Sequence, residues 1–594
     1  MLFHCTKEDC RFWGEGEVLP DACPRCGGAL TVGDREKMTG DDWCALGVFW
    51  IEQDGAEEKA VSCFRRSAQL GSGWGACNLG LCLEQGTGVE ADPRQALWLY
   101  QQAAEMGSLP ALCNLAVCYE EGIGTPPDPR QAVALYRRAA EYGSTRAQRL
   151  LARCCDRGIG MDRRDPAQAV EWLRMAALQG DMPSQTLLAK HYEFGDGVEQ
   201  DPELSVRWYR RAAEGDEPEA KCCLGWLMEQ GKWVDRDPEG AVELYRQAAE
   251  AGSERGLMLL AACLLGGVGT QADPEQAVRC YEKGAEAGSA QAMCNLGWCY
   301  ESGRGVEQSW EQAVHWYRRG AEEGDARAMC NLGWCYESGN GVEQSWEEAV
   351  RWYRRSAEDG SARAMFQLAW CYEKGLGVDR DTAQAADWYR RGAELGSSAC
   401  MNNLAELLAK GDGVPRDLEQ AMDWYRRAAE QDDECAWYNL GWYHEQAGET
   451  VQALDCLRRA DELGDGSACW GLGRFYETGT AVEQDLEQAF EYYQKGAELE
   501  DLNSLCRLVR CYALGIGTQK DREKASALAR EILSRNWEET GELEDYGARE
   551  ELEALRALWE ELETSRSCSH LRKLPVTASI SNSYSMLPSR SSPS

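Results

Sequence analysis

Apolar residues recur at spacings of three and four along most of this chain, and the arrangement repeats about every 36 residues. The repetition is clearest in residues 290–325 and 326–361, two consecutive blocks that are identical at 29 of 36 positions. Looser copies extend from about Thr39 to about Asn536, so the pattern occurs fourteen times. A fixed period of this length is typical of a solenoid, in which each unit buries its apolar face against its neighbours.

The first half of each block predicts an amphipathic helix. In the block 326–361, one apolar stripe is formed by Ala328, Met329, Leu332, Gly333 and Tyr336. These spacings place the five residues on one helical face. Gly339 suits the left-handed C-terminal cap that ends such a helix, and Gly341 allows the loop a second unusual backbone angle.

The second half of each block predicts a partner helix with a strong N-terminal signal. Six blocks place an N-cap aspartate directly before a proline, which is well suited to the first helical position. These aspartates are Asp92, Asp128, Asp165, Asp201, Asp237 and Asp273. In block 326–361, the buried stripe of this helix is predicted to contain Ala349, Trp352, Tyr353 and Ala357. The predicted fold class is all-α, an α/α superhelical solenoid of about fourteen helix-turn-helix repeats over residues 40–536.

The motif shared by the blocks runs alanine, Leu-Gly-x-x-Tyr, Gly-x-Gly-Val, Ala-x-x-Trp-Tyr and Ala-x-x-Gly. It resembles the SEL-one-like repeat family, a longer-looped relative of tetratricopeptide repeats, and covers about 500 of the 594 residues. The resemblance implies stacked antiparallel helix pairs whose first helices line a concave wall. The function class that it favours is a scaffold that binds another protein.

Residues 1–33 form a different predicted domain, in which two cysteine pairs flank a glycine-rich aromatic segment. Thiolates in two short turns commonly close a tetrahedral zinc site, so one structural zinc is expected on Cys5, Cys10, Cys23 and Cys26. The segment resembles the rubredoxin-like zinc ribbons through Cys23-Pro24-Arg25-Cys26-Gly27 and Phe12-Trp13-Gly14. Its first pair is separated by four residues rather than two, which counts against a redox iron site more than against zinc. His4 is expected to be a bystander, with replacement of one ligand as the alternative.

The remaining segments flank the repeats. Residues 34–39 form a short polar linker. Residues 537–563 predict an acidic capping helix, since the end of a solenoid needs a polar outer face; its apolar side is formed by Leu552, Leu555, Trp559 and Leu562. Residues 564–594 are rich in serine and contain no acidic residue. Such a segment cannot bury enough apolar surface to fold, so we expect a disordered basic tail.

The net charge limits the class of partner. The chain has 63 basic and 100 acidic residues, a net charge of −37. It should repel nucleic acids and anionic membrane surfaces and attract cationic partners. The N-terminus lacks the pattern of a secretory signal, and no apolar run reaches transmembrane length, so a cytoplasmic location is expected.

The 28 cysteines do not predict a disulfide framework. Within the repeats they favour positions five residues apart on one helix, as in Cys330 and Cys335. That spacing separates the α-carbons by about 8–9 Å, beyond the reach of a disulfide. Most of these thiols are expected to be reduced and to act as small core residues.

The sequence contains no catalytic motif, so enzyme activity is not expected. The five histidines are scattered, at His4, His191, His315, His444 and His570. There is no nucleotide-binding loop, nucleophile elbow or paired-histidine metal motif. Two alternatives stay open, a β-lactam-binding or hydrolysing enzyme, as linked to a related cysteine-rich branch, and an electron carrier based on the ribbon. The first is weakened because the second helix ends in Arg427-Ala428-Ala429, without the cysteine of that branch.

The outward face of the first helices is the candidate binding surface. Its ninth position carries Trp226, Trp298, Trp334, Trp370 and Trp442, and its twelfth position carries Glu301, Glu337 and Glu373 among others. A tryptophan face beside a carboxylate can hold a cation. The sixth position carries Asn295 and Asn331, whose amides can bond an extended peptide backbone in both directions. The expected ligand is an extended cationic protein segment; in the alternative interpretation, Asn and Glu only cap or solvate the helices.

The zinc site yields the first testable prediction. The fragment 1–33 should bind about one equivalent of zinc, and the double variant Cys23→Ser, Cys26→Ser should bind none, because two ligands of the tetrahedron are lost. Metal analysis of the purified fragment measures this directly. Stoichiometric iron in native material, or no metal at all, would contradict the assignment.

Overall fold

The computed structural model describes residues 2–5, 12–15, 30–53, 55–535 and 546–564. These residues contain 29 α-helices, three short strands and one 3-10 turn. The chain divides into two compact units, Met1–Cys280 and Tyr281–Ser594. No described helix is long and apolar enough to cross a bilayer.

The first unit begins with a small antiparallel sheet. Its strands are β1 (Leu2–Cys5), β2 (Trp13–Glu15) and β3 (Leu30–Val32), in the order β2-β1-β3. Leu2 and Trp13 pack with Leu46 of the first repeat, and the Trp13 indole nitrogen donates to Asp42 at 2.8 Å. The sheet is therefore anchored on the first helix pair by both apolar and polar contacts.

The described part of the sheet does not test the zinc ribbon. Of the four predicted ligands, Cys10, Cys23 and Cys26 lie outside the described residues, and Cys5 is described only by its backbone in β1. His4 has its ring against Trp13, with centroids 4.6 Å apart, and a ring nitrogen 3.0 Å from the Thr31 hydroxyl. The zinc ribbon remains a prediction.

The rest of the first unit consists of a 3-10 turn, Arg35–Lys37, followed by antiparallel helix pairs. The helices are Gly40–Ile51, Glu57–Gln69, Gly73–Gln85, Pro93–Glu105, Leu109–Glu121, Pro129–Glu141, Thr145–Arg157, Pro166–Leu178, Met182–Phe194, Pro202–Glu214, Pro218–Gln230, Pro238–Glu250, Glu254–Gly266 and Pro274–Glu286. The last of these extends past the boundary between the units.

The second unit continues the pattern of helix pairs and ends with one further helix. Its helices are Ala290–Ser302, Trp310–Glu322, Ala326–Ser338, Trp346–Glu358, Ala362–Lys374, Thr382–Glu394, Ser398–Lys410, Leu418–Ala429, Glu434–Gln446, Thr450–Leu463, Gly466–Thr478, Leu486–Glu498, Leu502–Leu514, Arg522–Ser534 and Tyr546–Thr564. The final helix buries Leu552, Leu555 and Leu558 against the last repeat. Its Glu551 accepts a 2.8 Å hydrogen bond from Arg507, so the contact is also charge-assisted,.

The helix ends follow from local sequence. Gly339 adopts the left-handed conformation, with φ of 74°, and its amide bonds back to Cys335. The Ser345 hydroxyl accepts from the Glu348 amide and starts the next helix,. At Gly341, an added Cβ would lie 2.5 Å from the carbonyl oxygen of Trp310, so glycine is needed where the loop touches the preceding repeat.

A fully buried tyrosine occupies the eighth position of most second helices. In eight repeats its hydroxyl donates to a glutamate at the twelfth position of the first helix, sixteen residues earlier. The pairs are Tyr100–Glu84 (2.7 Å), Tyr136–Glu120 (2.8 Å), Tyr209–Glu193 (2.9 Å), Tyr245–Glu229 (3.0 Å), Tyr317–Glu301 (2.5 Å), Tyr353–Glu337 (2.5 Å), Tyr389–Glu373 (3.1 Å) and Tyr493–Glu477 (2.7 Å). This bond joins the two helices of a repeat.

Small residues in the first helix make room for the tyrosine ring. A Cβ added at Gly333 would lie 2.7 Å from the ring of Tyr353, and one added at Gly297 would lie 2.6 Å from Tyr317. Glycine at position 333 therefore allows the partner helix to approach closely, and the atom that approaches is an aromatic carbon.

The prediction of reduced thiols in the repeats is also confirmed for the described residues. All 23 described repeat cysteines are unbridged, and all but Cys435 are buried. Burial raises the pKa of Cys299 and of Cys335 to about 12. These thiols are protonated and apolar at neutral pH and behave as core side chains.

The tyrosine–glutamate bond predicts a specific loss of stability. Tyr353→Phe should weaken the repeat 326–361 by about 1–3 kcal/mol, because the half-buried Glu337 carboxylate loses its donor. Hydrogen exchange in that repeat measures the change locally. Tyr336→Phe is the control, since the Tyr336 hydroxyl bonds only an exposed arginine, Arg318, at 3.1 Å. Equal effects of the two variants would contradict this role of the carboxylate.

Candidate binding surface

The structure places the predicted tryptophans beside partners within the chain. Trp226, in the first unit, is 37% exposed and has the Lys232 ammonium 5.2 Å from its ring centroid. In the second unit, Trp298 is 36% exposed and lies under the Arg304 guanidinium at 5.1 Å. Two of the five predicted rings therefore already hold a cation from their own loop, which shows that a cation can be accommodated at the ninth position.

The other three predicted tryptophans contact aromatic rings. Trp334 packs against Trp310 with centroids 5.6 Å apart, and Trp370 packs against Trp346 at 5.8 Å. Trp310 and Trp346 are the first residues of the preceding second helices. Trp442 contacts Tyr443 edge-on at 4.6 Å. At Trp334 and Trp370 the ninth position therefore packs across the junction between repeats and is only partly open to solvent.

The glutamates predicted to face a ligand have a structural role as well. Glu301, Glu337 and Glu373 are half-buried, and each accepts the tyrosine hydroxyl described above. Burial raises the pKa of Glu337, although its bond from Tyr353 and the nearby Arg363 lower it. The sequence predicted the positions of these carboxylates, whereas their tyrosine partners came only from the structure.

Several junctions neutralise the twelfth-position carboxylate with an arginine from the next repeat. Arg153 places one guanidinium nitrogen 2.7 Å from both carboxylate oxygens of Glu120. Arg474 makes the same contact with Glu445, at 2.7 and 2.5 Å. Both arginines occupy the ninth position of their helix, where other repeats carry tryptophan. The protein thus shows within itself how a cation sits at this junction.

Two junctions in the second unit lack that cation. The residue that follows Glu301 at the next ninth position is Trp334, and the one that follows Glu337 is Trp370. Among residues 281–535 and 546–564, no basic side chain forms an ion pair with Glu301 or Glu337. We call these four side chains the Trp–Glu surface.

The predicted asparagines take part in contacts between neighbouring first helices. The Asn331 amide donates a weak hydrogen bond to the Cys294 thiol of the preceding repeat, at 3.9 Å. In the first unit, Asn78 and Asn114 make the equivalent contact with Cys44 and Cys77 at 3.3 and 3.5 Å. Asn295 is half-buried. The amide nitrogen of Asn331 is therefore engaged, and a ligand backbone would meet its carbonyl oxygen.

One buried histidine forms a cluster that the sequence did not single out. His191 occupies the tenth position of its helix, where most repeats have cysteine or leucine. One ring nitrogen lies 3.0 Å from an Asp156 carboxylate oxygen, and the other lies 2.7 Å from the backbone carbonyl of Asp196. Arg164 pairs with the Asp196 carboxylate and donates to the Asp156 backbone at 2.6 Å. Asp156 is a twelfth-position carboxylate whose second helix carries Leu173 instead of tyrosine.

This cluster favours a proton on both ring nitrogens. A backbone carbonyl and a carboxylate are both acceptors, so each faces an N–H of the imidazolium. Burial lowers the pKa of His191, but the hydrogen bonds to Asp156 and to the Asp196 carbonyl outweigh it and leave the pKa raised. The three side chains bring ligand atoms within 4.8 Å of one another. Since both ring nitrogens are engaged and Arg164 holds Asp196, the arrangement fits a proton better than a metal ion.

The chain matches the profile of the Sel1 repeat family along most of its length. The matched segments are 40–72, 75–108, 109–144, 145–181, 183–217, 218–253, 255–289, 290–325, 326–361, 362–397, 398–433, 466–501 and 502–530. A search of curated proteins gave no match.

Three solved structures illustrate the similarity. A protective antigen of uropathogenic Escherichia coli with an SLR fold is 29% identical, covering 76% of this chain and 99% of that one, with a TM-score of 0.46. A Sel1 repeat protein from Oxalobacter formigenes is 28% identical over 54% of this chain and 95% of that one, with a TM-score of 0.38. An immunity protein from Pseudomonas aeruginosa is 20% identical over 36% and 82%, with a TM-score of 0.26.

The His191 cluster predicts a pH-dependent contribution to stability. A pKa raised on folding stabilises the native state below the unfolded value of about 6.5, and the contribution is lost as pH rises through the folded value. His191→Leu, which installs a residue found in other repeats, should lower the melting temperature most at about pH 6 and least at about pH 9. Thermal unfolding across that range measures the difference. His315→Gln, at an exposed position, is the control; a pH-independent effect of His191→Leu would contradict the protonated bridge.

Proposed function

The chain belongs to the Sel1 repeat family, and we propose that it is a scaffold that binds a protein partner rather than an enzyme. Proteins of this family are generally protein-interaction scaffolds. The unbridged repeat thiols favour a reducing compartment, so the proposed location is the cytoplasm,. The proposed N-terminal zinc would serve only to fold the ribbon.

For the partner itself, we propose an extended segment that contains lysine or arginine and binds along the Trp–Glu surface. The observation that carries it is the comparison between junctions of the same protein. Arg153 and Arg474 neutralise the twelfth-position carboxylates beside them, whereas Glu301 and Glu337 meet tryptophan at the same position. A basic side chain from a partner would complete these two junctions in the way that the internal arginines complete theirs.

Each site is expected to bind a cation with modest affinity, and the contributions of successive sites add along the Trp–Glu surface. A cation over tryptophan contributes about 0.5–2 kcal/mol. A carboxylate with a pKa raised by burial, as in Glu337, gains further from a counter-ion,. The net charge of −37 accelerates encounter with a basic segment,. The carbonyl oxygens of Asn295 and Asn331 would accept hydrogen bonds from the ligand backbone.

The spacing of repeats sets the spacing of cations in the ligand. Equivalent helices in adjacent repeats lie on the order of 10 Å apart, and a ligand chain in the polyproline II conformation advances about 3.1 Å per residue with three residues per turn. A basic residue at every third position would therefore reach successive junctions. A peptide with lysines at this period is the appropriate probe, and its glutamate counterpart is the control ligand.

Trp334→Arg tests the proposal with a residue that the protein uses elsewhere. The new arginine should pair with Glu301, as Arg153 pairs with Glu120, and exclude the lysine peptide. Binding should weaken about tenfold, because one cation site is lost. Fluorescence anisotropy of the labelled peptide measures the affinity, and circular dichroism verifies that the helices are retained.

His315→Arg is the matched control. It adds the same charge on an exposed position of a second helix, where the sister repeat already carries Arg351. It should leave peptide affinity within about twofold of the parent. If Trp334→Arg remains folded and binds the lysine peptide as well as the parent, recognition lies on another surface.

A further inference from the structure

One loop in the first unit departs from the rule that most of the others follow; the equivalent exception in the second unit, Ala481 with a φ of 56°, carries only a methyl side chain. Between the two helices of a repeat, the second loop glycine has a positive φ in ten repeats. These glycines are Gly88, Gly124, Gly160, Gly197, Gly269, Gly305, Gly341, Gly377, Gly413 and Gly517. In the repeat that begins at Pro218 the position is Trp233, which keeps a φ of 64°. A bulky residue in the left-handed region is a conformational outlier, and such outliers concentrate at functional sites.

The reason for glycine is contact with the preceding repeat. An added Cβ at Gly124, Gly160 or Gly269 would lie 2.1–2.3 Å from the carbonyl oxygen of the proline that begins the preceding second helix. A loop that carries a side chain cannot approach so closely. Trp233 therefore holds its loop away from Pro202, the first residue of the helix it faces.

A cleft of about 630 Å³ lies at this junction. One side is the helix Pro202–Glu214 and the other is the loop that contains Trp233. The lining residues are Glu203, Val206, Arg207, Arg210, Gly231, Trp233, Val234 and Asp235. The cleft thus lies where a tryptophan replaces the loop glycine of the other repeats.

Two arginines in the cleft are available to bind an anion. Arg207 and Arg210 are one helical turn apart on the same helix, and both are exposed. Within the described part of the first unit, neither forms an ion pair, although the chain carries an excess of acidic residues. Guanidinium groups in this arrangement suit a carboxylate.

The other residues that line the cleft determine which kind of anion it prefers. The Trp233 ring has Lys232 on it, 4.2 Å from the ring centroid, and offers apolar surface together with Val206 and Val234. Glu203 and Asp235 balance the two arginines in charge. A cleft with no net positive charge favours a single carboxylate beside an apolar group over a densely charged phosphate ligand.

We propose that this cleft binds a peptide segment in which a carboxylate adjoins an aromatic side chain. The carboxylate lies between Arg207 and Arg210, and the aromatic ring packs on Trp233. This site goes beyond the proposed function, because it lies in the other unit and takes the opposite charge. The carboxylate comes either from an acidic side chain or from a chain terminus, and the two sources share the same recognition chemistry.

The test uses the full chain and three short peptides labelled with 4-fluorophenylalanine, observed by 19F relaxation. The first carries glutamate next to the fluorinated ring, with both termini blocked. The second replaces glutamate by glutamine. The third lacks the glutamate and has a free C-terminal carboxylate beside the ring. The glutamate or the free-terminus peptide should bind about tenfold tighter than the glutamine peptide, and the stronger of the two identifies the source.

Variants connect the binding to the cleft. Arg207→Gln should weaken the carboxylate peptide about tenfold, while Arg137→Gln should not. Arg137 is exposed and occupies the helix position equivalent to Arg210, in a repeat whose neighbouring loop has glycine. Trp233→Gly should abolish binding, because it removes the aromatic wall of the cleft.

Two results would overturn the proposal. One is equal binding of the glutamate, free-terminus and glutamine peptides. The other is carboxylate binding that survives both Arg207→Gln and Trp233→Gly in folded protein. Circular dichroism of Trp233→Gly verifies that the helices are retained, so that loss of binding there is not attributed to unfolding.

Discussion

A carboxylate at the end of most first helices, half-buried in most repeats and buried at Glu193 and Glu477, is the constraint on which much of this structure depends. Removing a carboxylate from water is costly unless a donor replaces the water. Eight repeats supply the hydroxyl of a buried tyrosine from the second helix, as Tyr353 does for Glu337. Where the tyrosine is missing, the donor comes from the next repeat: His191 serves Asp156, and Arg474 serves Glu445. The requirement for a donor therefore ties helix to helix and repeat to repeat.

The same requirement distinguishes closed junctions from open ones. A basic residue at the ninth position completes the charge balance within the chain, as Arg153 does. A tryptophan at that position leaves the carboxylate with its tyrosine bond and, among the described residues, no ion pair, although Arg363 lies near Glu337; the tryptophan also adds a π face nearby. Glu301 and Glu337 are in this state. The choice between arginine and tryptophan at one position thus separates a structural contact from a place where a partner can contribute the cation.

The positions of the helices could be predicted from the sequence because they depend on local signals. The glycine cap at Gly339 and the serine cap at Ser345 follow from backbone geometry within a few residues. The hydrogen-bond partner of Glu337, Tyr353, could not be predicted in this way, since it lies sixteen residues away on another helix. Co-occurrence gave only an incomplete signal: the first repeat lacks both residues, with Ile51 and Phe64 in their place, but the repeat 398–433 keeps Tyr425 although its twelfth position is Ala409. Trp352 was predicted to lie in the buried stripe, but it is only half-buried and has Arg355 5.7 Å from its ring centroid.

A double-mutant cycle between Glu337 and a lysine of the bound peptide tests most directly whether a partner cation pairs with this carboxylate. Glu337→Gln keeps an acceptor for Tyr353 but removes the charge, and norleucine replaces lysine in the peptide without its ammonium group. If the cation completes the junction, the two changes should be coupled by about 1 kcal/mol or more. Additive effects, with coupling near zero for each lysine of the peptide, would mean that no partner cation meets this carboxylate.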